Sequence, residues 1–439
     1  MTGRPNGSGV GRTSQAIGPR RIALDVLDRV LKHARPFDET FAGHPRLMSL
    51  SPRDRAFARL LVTTVLRRLG QIDALLDELL RTAPKDERVR NILRLGAAQL
   101  LFLATPAHAA VGETVSLAVG RHAFARGLVN AVLRRLSAEG AARLAAQDAA
   151  RLSTPAWLWQ SWCEAYGEER TRAIAEAHLA EPPLDLTVKD HPEAWAKRLD
   201  AEPLYGKTLR RQAGGQIEDL PGYPDGAWWV QDAAAALPAK LLGEIRGRPV
   251  IDLCAAPGGK TAQLAAAGAK VTAVELSERR AERLHANLQR LRLDAEIVIA
   301  DALEWRPPAP AGHVLLDAPC TATGTIRRHP DVPWHKTADE VARMAELQGK
   351  LLGAAAEMLA PGGTLVYASC SLQPEEGPLL VERWFPEHPR LERSPIALDE
   401  LANLPVEVTG EGEVRTLPCH LAGRGGMDGF FIARLRARG

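Results

Sequence analysis

Cysteine is scarce in this 439-residue chain: there are five, at 163, 254, 320, 370 and 419, and no two form a C-x-x-C pair. An odd number so widely spread argues against a disulfide framework and for a reducing compartment. No His cluster accompanies them, so no metal site is expected. Long apolar runs are missing as well; no stretch reaches 18 residues, and no membrane span is expected. Residues 1–19 are rich in Gly, Ser and Arg and lack the apolar core of a signal peptide, which predicts a disordered basic arm and a cytoplasmic protein. Neither common nucleotide signature is complete. The dinucleotide pattern G-x-G-x-x-G is absent, and a triphosphate loop would need Gly where Cys254 stands.

What is present is ordinary globular composition, 46% apolar and 25% charged, in a chain long enough for two or three domains. The formal net charge of +3 hides an asymmetry. Residues 1–150 carry 23 Lys+Arg against 13 Asp+Glu, so the remainder is net acidic. A basic front on an acidic remainder fits a module that docks a polyanion. Solvated helix faces account for the same numbers.

From Arg21 to about Leu136 apolar residues recur at helical spacing, as in Ile22, Val26, Leu27, Val30 and Leu31, or Phe57, Leu60, Leu61, Val65 and Leu69. Residues 20–140 are therefore expected to form an all-helical domain. A small α/β linker domain is expected over 141–230: Trp157, Trp159 and Trp162 sit on a short amphipathic helix, and Pro182-Pro183 leads into the alternating Leu184, Leu186 and Val188. After Gln231-Asp232 strands alternate with helices, predicting a mostly parallel sheet over 231–439. Its strands are predicted at 249–254, 271–275, 296–300, 313–317, 363–369 and 429–435.

The first of these strands breaks into Cys254-Ala255-Ala256-Pro257-Gly258-Gly259-Lys260, a turn whose glycines permit close backbone approach, followed by a helix. Glu275, ending the second strand, can take both hydroxyls of a ribose, and Asp301, after the third, can read an adenine edge. One nucleoside without a phosphate site points to S-adenosyl-L-methionine. Any one strand-end acid equally well caps the next helix; three in register, with Asp252, favour the nucleoside.

Ligands of open α/β sheets bind outside the carboxyl ends of the strands. Two thiols stand at such ends: Cys320, closing Asp317-Ala318-Pro319-Cys320, and Cys370, in Ser369-Cys370-Ser371. Together they suggest covalent catalysis. Carbon 5 of a pyrimidine is a weak nucleophile, and a thiolate adding to C6 makes it enamine-like, able to take a methyl group before a base removes the C5 proton. Such a thiol must titrate below its free value of about 8.5, and Lys260 and Arg327-Arg328 are the candidate local charges. Asp317 can hydrogen-bond N3 or the exocyclic amine of cytosine. Two rivals stand beside this reading. Amino-group methylation, with Asp317-Ala318-Pro319 gripping an exocyclic nitrogen, needs no Cys370; a noncatalytic RNA-binding assembly factor needs neither thiol. The residues alone do not rank the two thiols.

Residues 231–435 resemble the NOL/NOP/Sun family of RNA 5-methylcytosine methyltransferases. The resemblance rests on Asp252-Leu253-Cys254-Ala255-Ala256-Pro257-Gly258-Gly259-Lys260-Thr261, Asp317-Ala318-Pro319-Cys320-Thr321-Ala322-Thr323-Gly324, Arg327-Arg328-His329-Pro330-Asp331, Tyr367-Ala368-Ser369-Cys370-Ser371, Glu375-Glu376 and Asp428-Gly429-Phe430-Phe431. The helical front end resembles the NusB-like RNA-binding fold, through Asn91-Ile92-Leu93-Arg94-Leu95 and Val129-Asn130-Ala131-Val132-Leu133. The joint resemblance implies a class I S-adenosylmethionine-dependent methyltransferase, Rossmann-like, preceded by the NusB-like and linker domains. It further implies action on structured RNA, 16S rRNA first and tRNA as the alternative; nothing in the sequence demands a partner protein, so a monomer is expected. Carried over, it makes Cys370 the nucleophile and Cys320 the thiol that assists proton removal and release; residues 254–260, Glu275, Asp301 and Asp317 become the cofactor set. Departures are Glu275 where Asp is commoner, Ser369 for Thr, Gly377 for Asn, and the absence of an Arg and an Asn after Pro182-Pro183. Cys163, Cys254 and Cys419 read as structural, and His329 as shaping a loop.

Overall fold

Ser51 and Asp86 accept from the backbone N–H groups of Asp54 and Arg88 and so fix the starts of two helices that the apolar stripes alone leave open. The computed structural model describes residues 18–439 apart from 213 and 403, so the arm expected at 1–19 falls almost wholly outside the described residues. Contacts divide the chain into two units that meet between Gln147 and Asp148.

The first unit is all-helical: α1 (Pro19–His33), α2 (Phe37–Ala42), α3 (Pro52–Arg67), α4 (Leu69–Leu79), α5 (Glu87–Leu101), α6 (Ala107–Val115) and α7 (Arg126–Ala145). The predicted stripes face inward; Ile22, Val26, Leu61, Val65, Ile72, Ile92 and Leu133 are fully buried. Helix α5 packs against α1, α3, α4, α6 and α7. Its arginines turn to acids on its neighbours. Arg88 pairs with Asp25 and Asp28 on α1, and Arg94 holds Asp73 on α4 at 2.7 Å. Part of the basic excess read from the sequence is therefore internal to the fold. The boundary expected at 140 moves to 147, because α7 continues unbroken to Ala145, tied down by Arg143 to Glu78.

In the second unit α8 (Ala149–Leu152), α9 (Ala156–Tyr166) and α10 (Glu168–Leu179) precede a four-stranded antiparallel sheet of order β2-β3-β1-β4, formed by β1 (Leu184–Val188), β2 (Glu202–Tyr205), β3 (Thr208–Arg211) and β4 (Trp228–Val230), with α11 (Pro192–Leu199) beside it. A short α12 (Leu237–Lys240) leads into the main sheet. Its parallel strands are β5 (Pro249–Leu253), β6 (Lys270–Glu275), β7 (Glu296–Ile299), β8 (Ala311–Asp317) and β9 (Leu359–Ser369), in spatial order β9-β8-β5-β6-β7. Between them run α13 (Gly259–Ala266), α14 (Glu278–Leu291), α15 (Val332–His335) and α16 (Ala338–Glu357), with α17 (Pro378–Trp384) after β9. All six predicted strands are present within a few residues. The sequence pattern missed the short β10 (Leu391–Arg393), β11 (Glu407–Val408) and β12 (Val414–Thr416), which extend the sheet antiparallel through β13 (Phe430–Ala437). Runs of two or three residues carry no readable alternation.

The region expected as a separate linker domain and the methyltransferase-like region form one unit. Two contacts explain this. Trp162 on α9 is fully buried with Leu158, Ile326, Val332, Leu372 and Leu417, and donates its indole N–H to Gln373 Oε1 at 2.7 Å. Beneath β1, a buried ion network joins Asp185, Asp232 and Asp428 to Arg210, Arg327 and Arg328: Arg210 grips Asp185 through two 2.7 Å bonds, Arg328 reaches Asp232 at 2.5 Å, and Arg327 lies 3.2 Å from both Asp232 and Asp428. Arg210 also donates to the carbonyl of Arg424 at 2.7 Å.

Breaking one partner of such a network leaves an uncompensated buried charge. Arg210→Met is expected to cost the second unit about 3–5 kcal/mol, and the paired change Asp185→Leu with Arg210→Met much less, both read from urea unfolding followed by circular dichroism.

Candidate active site

The strand order places β6 and β8 on opposite sides of β5, so the chain reverses direction across the sheet between β5 and β8. A crevice at the carboxyl ends of strands belongs at that reversal. The predicted residues gather there. The Gly-Gly turn follows β5, Asp317 ends β8, and Cys370 follows β9.

The turn is held through its backbone by side chains from the end of β6 and from α14. Glu275 is almost fully buried and accepts from Ala256 N at 3.2 Å and Ser277 N at 3.0 Å, tying the turn to the start of α14. Arg280 donates to Ala256 O at 2.7 Å, and Asn287 to Pro257 O at 2.9 Å. Gly258 sits at φ +100°, and a Cβ there would lie 2.4 Å from Leu284, so the turn admits glycine alone at little cost. Asp252 is fully buried; Thr261 donates to its Oδ2 at 2.6 Å, while Oδ1 has no partner. Burial, with Asp317 adding to it, pushes its pKa up to about 7. Cys254 is likewise pushed up to about 12, by burial first and then by Asp317 and Glu275, so its thiol is inert and the turn uses its backbone. At the ends of β6 and β7, Leu276 and Ile299 are apolar yet 67% and 55% exposed, and Asp301 accepts from Leu303 N at 2.9 Å. An orphaned buried carboxylate oxygen, a turn of small residues with two glycines, and exposed apolar residues beside it fit a nucleoside with a charged tail.

Across the crevice Cys320 Sγ and Cys370 Sγ lie 3.2 Å apart. Both residues are half-buried. The register of β8 on β9 pairs Asp317 with Ala368, so two loops leave adjacent strand ends side by side. Gly324 is what lets them meet: its N–H donates to Cys370 O at 2.9 Å, its carbonyl accepts from Gly429 N at 2.8 Å, and a Cβ there would fall 2.0 Å from Gly429 O. The Cys370 thiol is held well above its ordinary value by its hydrogen bond with Cys320, by burial and by Asp317, with Lys260 pulling the other way. Lys260 Nζ lies 2.7 Å from Asp317 Oδ2 and 5.1 Å from the Phe430 ring centroid. Burial works against its charge, and Asp317 more than offsets that, leaving its pKa raised. Arg327 and Arg328, the other expected cations, are instead committed to Asp232 and Asp428, whereas the charge of Lys260 reaches Cys370. Sequence reasoning also missed Gln348, Tyr367 and Glu376, a buried polar group beneath the thiols, for which the Glu375-Glu376 pair was the available signal.

A strand-order reversal with a nucleoside-fitting turn and paired thiols defines a methyltransferase of the S-adenosylmethionine-dependent class. Residues 240–436 match the family model described as 16S rRNA methyltransferase RsmB/F, and residues 18–138 match the NusB family. The chain is similar to a protein of Cronobacter sakazakii named ribosomal RNA small subunit methyltransferase B, at 34% identity over 96% of this chain and 99% of that one. A protein of the same name from Pseudomonas putida is 36% identical over 95% and 98%. A solved methyltransferase homolog protein from Pyrococcus horikoshii superposes with a TM-score of 0.52 at 28% identity, covering 63% of this chain and 93% of that one. The chain belongs to the RsmB/F family of methyltransferases.

Asp252 gives the site a pH signature. Its folded pKa lies above the unfolded carboxylate value, so its contribution to stability is full below about 4 and is lost as pH rises to about 7. Asp252→Asn is expected to remove that component, which melting curves across this range would show as a smaller fall of Tm than in the parent protein.

Proposed function

We propose that this protein transfers a methyl group from S-adenosylmethionine to carbon 5 of a cytosine in small-subunit ribosomal RNA. The observation that carries the chemistry is the pair of sulfurs 3.2 Å apart at the ends of β8 and β9, beside the Lys260–Asp317 ion pair. The names of the relatives support the RNA, and the cytoplasm is where that substrate is made. The residues suited to hold the methyl donor are the turn Cys254-Ala255-Ala256-Pro257-Gly258-Gly259-Lys260 with Glu275, Asp301 and Asp317. When bound, S-adenosylmethionine supplies an electrophilic methyl group.

The chain's own groups then act in sequence. Asp317, its side chain 32% exposed with one oxygen on Lys260, accepts hydrogen bonds from the cytosine edge and orients the ring. Cys370, as thiolate, forms a bond to C6, and the C5–C6 π electrons move to C5. After C5 takes the methyl group, its proton passes to the Cys320 sulfur in thiolate form. The C5–C6 double bond re-forms, the Cys370–C6 bond breaks, and Cys370 leaves as thiolate; Cys320 then returns its proton to solvent. Lys260 is the cation that favours the Cys370 thiolate. A base in a duplex must be flipped out to reach this crevice, at a cost of a few kcal/mol.

Incubation with radiolabelled S-adenosylmethionine and unmodified small-subunit rRNA, followed by digestion to nucleosides, is expected to place the label in 5-methylcytidine. Label in an N-methylated base would overturn the reaction. Cys370→Ala is expected to lower turnover by at least about 10³-fold, since it removes the group that activates the ring. Cys320→Ala is expected to accumulate a covalent protein–RNA adduct, seen as a slow band on a denaturing gel. An adduct in Cys370 variants and none in Cys320→Ala would exchange the two roles.

A further inference from the structure

Beneath the two thiols lies a carboxylate that the mechanism does not use. Glu376 is fully buried, and the side chains that donate to its carboxylate, from Thr321, Ser371 and Gln348, are uncharged. Its Oε1 accepts from Thr321 N at 2.8 Å and from Gln348 Nε2 at 3.1 Å. Its Oε2 accepts from Ser371 Oγ at 2.5 Å and from the Thr321 hydroxyl. Gln348 also donates to Pro319 O at 2.8 Å, and Tyr367 Oη donates both to Gln348 Oε1 at 3.1 Å and to the Glu376 carbonyl at 2.9 Å. Thr321 and Ser371 are the residues that follow Cys320 and Cys370. One carboxylate thus holds both thiol-bearing loops by their adjacent residues.

A buried carboxylate neutralised by hydrogen bonds alone is an expensive way to fill a core. Burial pushes the Glu376 carboxyl up, and the hydrogen bonds from Ser371, Thr321 and Gln348 draw it partly back. An apolar side chain of similar size would pack there without this cost, but it could not fix two loops against each other. The four donors converge from two loops and one helix, so moving either loop breaks bonds on both. We infer that Glu376 is a positioning residue that sets the spacing of the Cys320 and Cys370 sulfurs, and with it the rate of the covalent steps; this last part rests on the proposed cytosine-5 reading.

Sulfur spacing can be measured without RNA or methyl donor. In the full-length protein, diamide takes two electrons and two protons from a close thiol pair, forming a disulfide and a hydrazine, and peptide mass spectrometry follows the Cys320–Cys370 link. The parent protein is expected to form this link readily. Glu376→Ala is expected to form it at least tenfold more slowly, and to lose at least 100-fold in kcat with KM for RNA within threefold. Glu376→Gln keeps one oxygen for Thr321 N and Gln348, and offers an amide to hydroxyls that can also accept. It is expected to stay within threefold of the parent in link formation and to retain at least a tenth of kcat. If Glu376→Ala does not fold, Ser371→Ala serves instead: it removes the Ser371 hydroxyl's bond to Glu376 together with its contacts to Thr321, Thr323 and Gln373 N, and is expected to slow link formation about threefold. Linking at the parent rate in whichever of these two variants is read would overturn the assignment. Slowed linking with unchanged kcat would uphold Glu376 as the spacer while overturning the covalent reading.

Discussion

Three buried aspartates meeting the buried Arg210 and Arg327 and the half-buried Arg328 make residues 148–439 one body. Asp185 comes from the small antiparallel sheet, Asp232 from the segment entering the main sheet, and Asp428 from the turn before its last central strand. Arg327 and Arg328 come from the loop that begins at Cys320. Bringing six charges out of water is repaid only when each is paired. Burial pushes Asp232 up, but Arg328 and Arg327 more than reverse this and hold it down at about 2, so the carboxylate stays ionised throughout the neutral range. The loop that carries Cys320 is thereby anchored to the small sheet, the entering segment and the last strand together. The α9 contact through Trp162 and Gln373 acts in the same sense on the Cys370 side, since Leu372 and Gln373 directly follow Ser371. The segment read as a linker is thereby a wall of the catalytic unit.

That dependence explains how the two sulfurs come together. Parallel pairing of β8 with β9 brings the loops to neighbouring strand ends, but a strand end alone leaves a loop several ångströms of freedom. Gly324 removes part of it through backbone contacts with Cys370 and Gly429, and Glu376 and Gln348 remove more from below. Glu376 and Gln348 hold residues beside the cysteines, and Gly324 holds the Cys370 backbone. The two sulfurs themselves are hydrogen-bonded to each other.

The sequence made much of this legible, and the reasons differ by element. Strands β5 to β9 and β13 were readable because each is an apolar run bounded by turn residues, and the helices because a 3.6-residue stripe needs only one buried face. The site residues were readable because the turn, the Pro-Cys segment and the Ser-Cys-Ser segment all follow strands. Arg327 and Arg328 show where such reading stops. Two adjacent arginines near a thiol look like electrostatic activators, yet their acids, Asp232 and Asp428, lie about a hundred residues away on either side, and no local pattern announces that pairing. The contacts that tie the expected linker region to the catalytic region were unreadable for the same reason: composition changes near Gln231, whereas the ion network and Trp162 cross it.

The resting state of the thiols follows from the same geometry. Cys370 is kept protonated in the free protein by Cys320, by burial and by the negative charge of Asp317, against which Lys260 pulls. Lys260 and Asp317 lie within 2.7 Å of each other, so toward Cys370 their fields largely cancel. Under the proposed reading, a cytosine edge donating to Asp317 disperses the negative charge while leaving Lys260 in place. The balance at Cys370 then tips toward the thiolate only once the base is seated. Under that reading the activation needs no moving part, because one ion pair supplies both charges: the Asp317 carboxylate takes up the base, and the Lys260 ammonium stays as the cation that acts on Cys370.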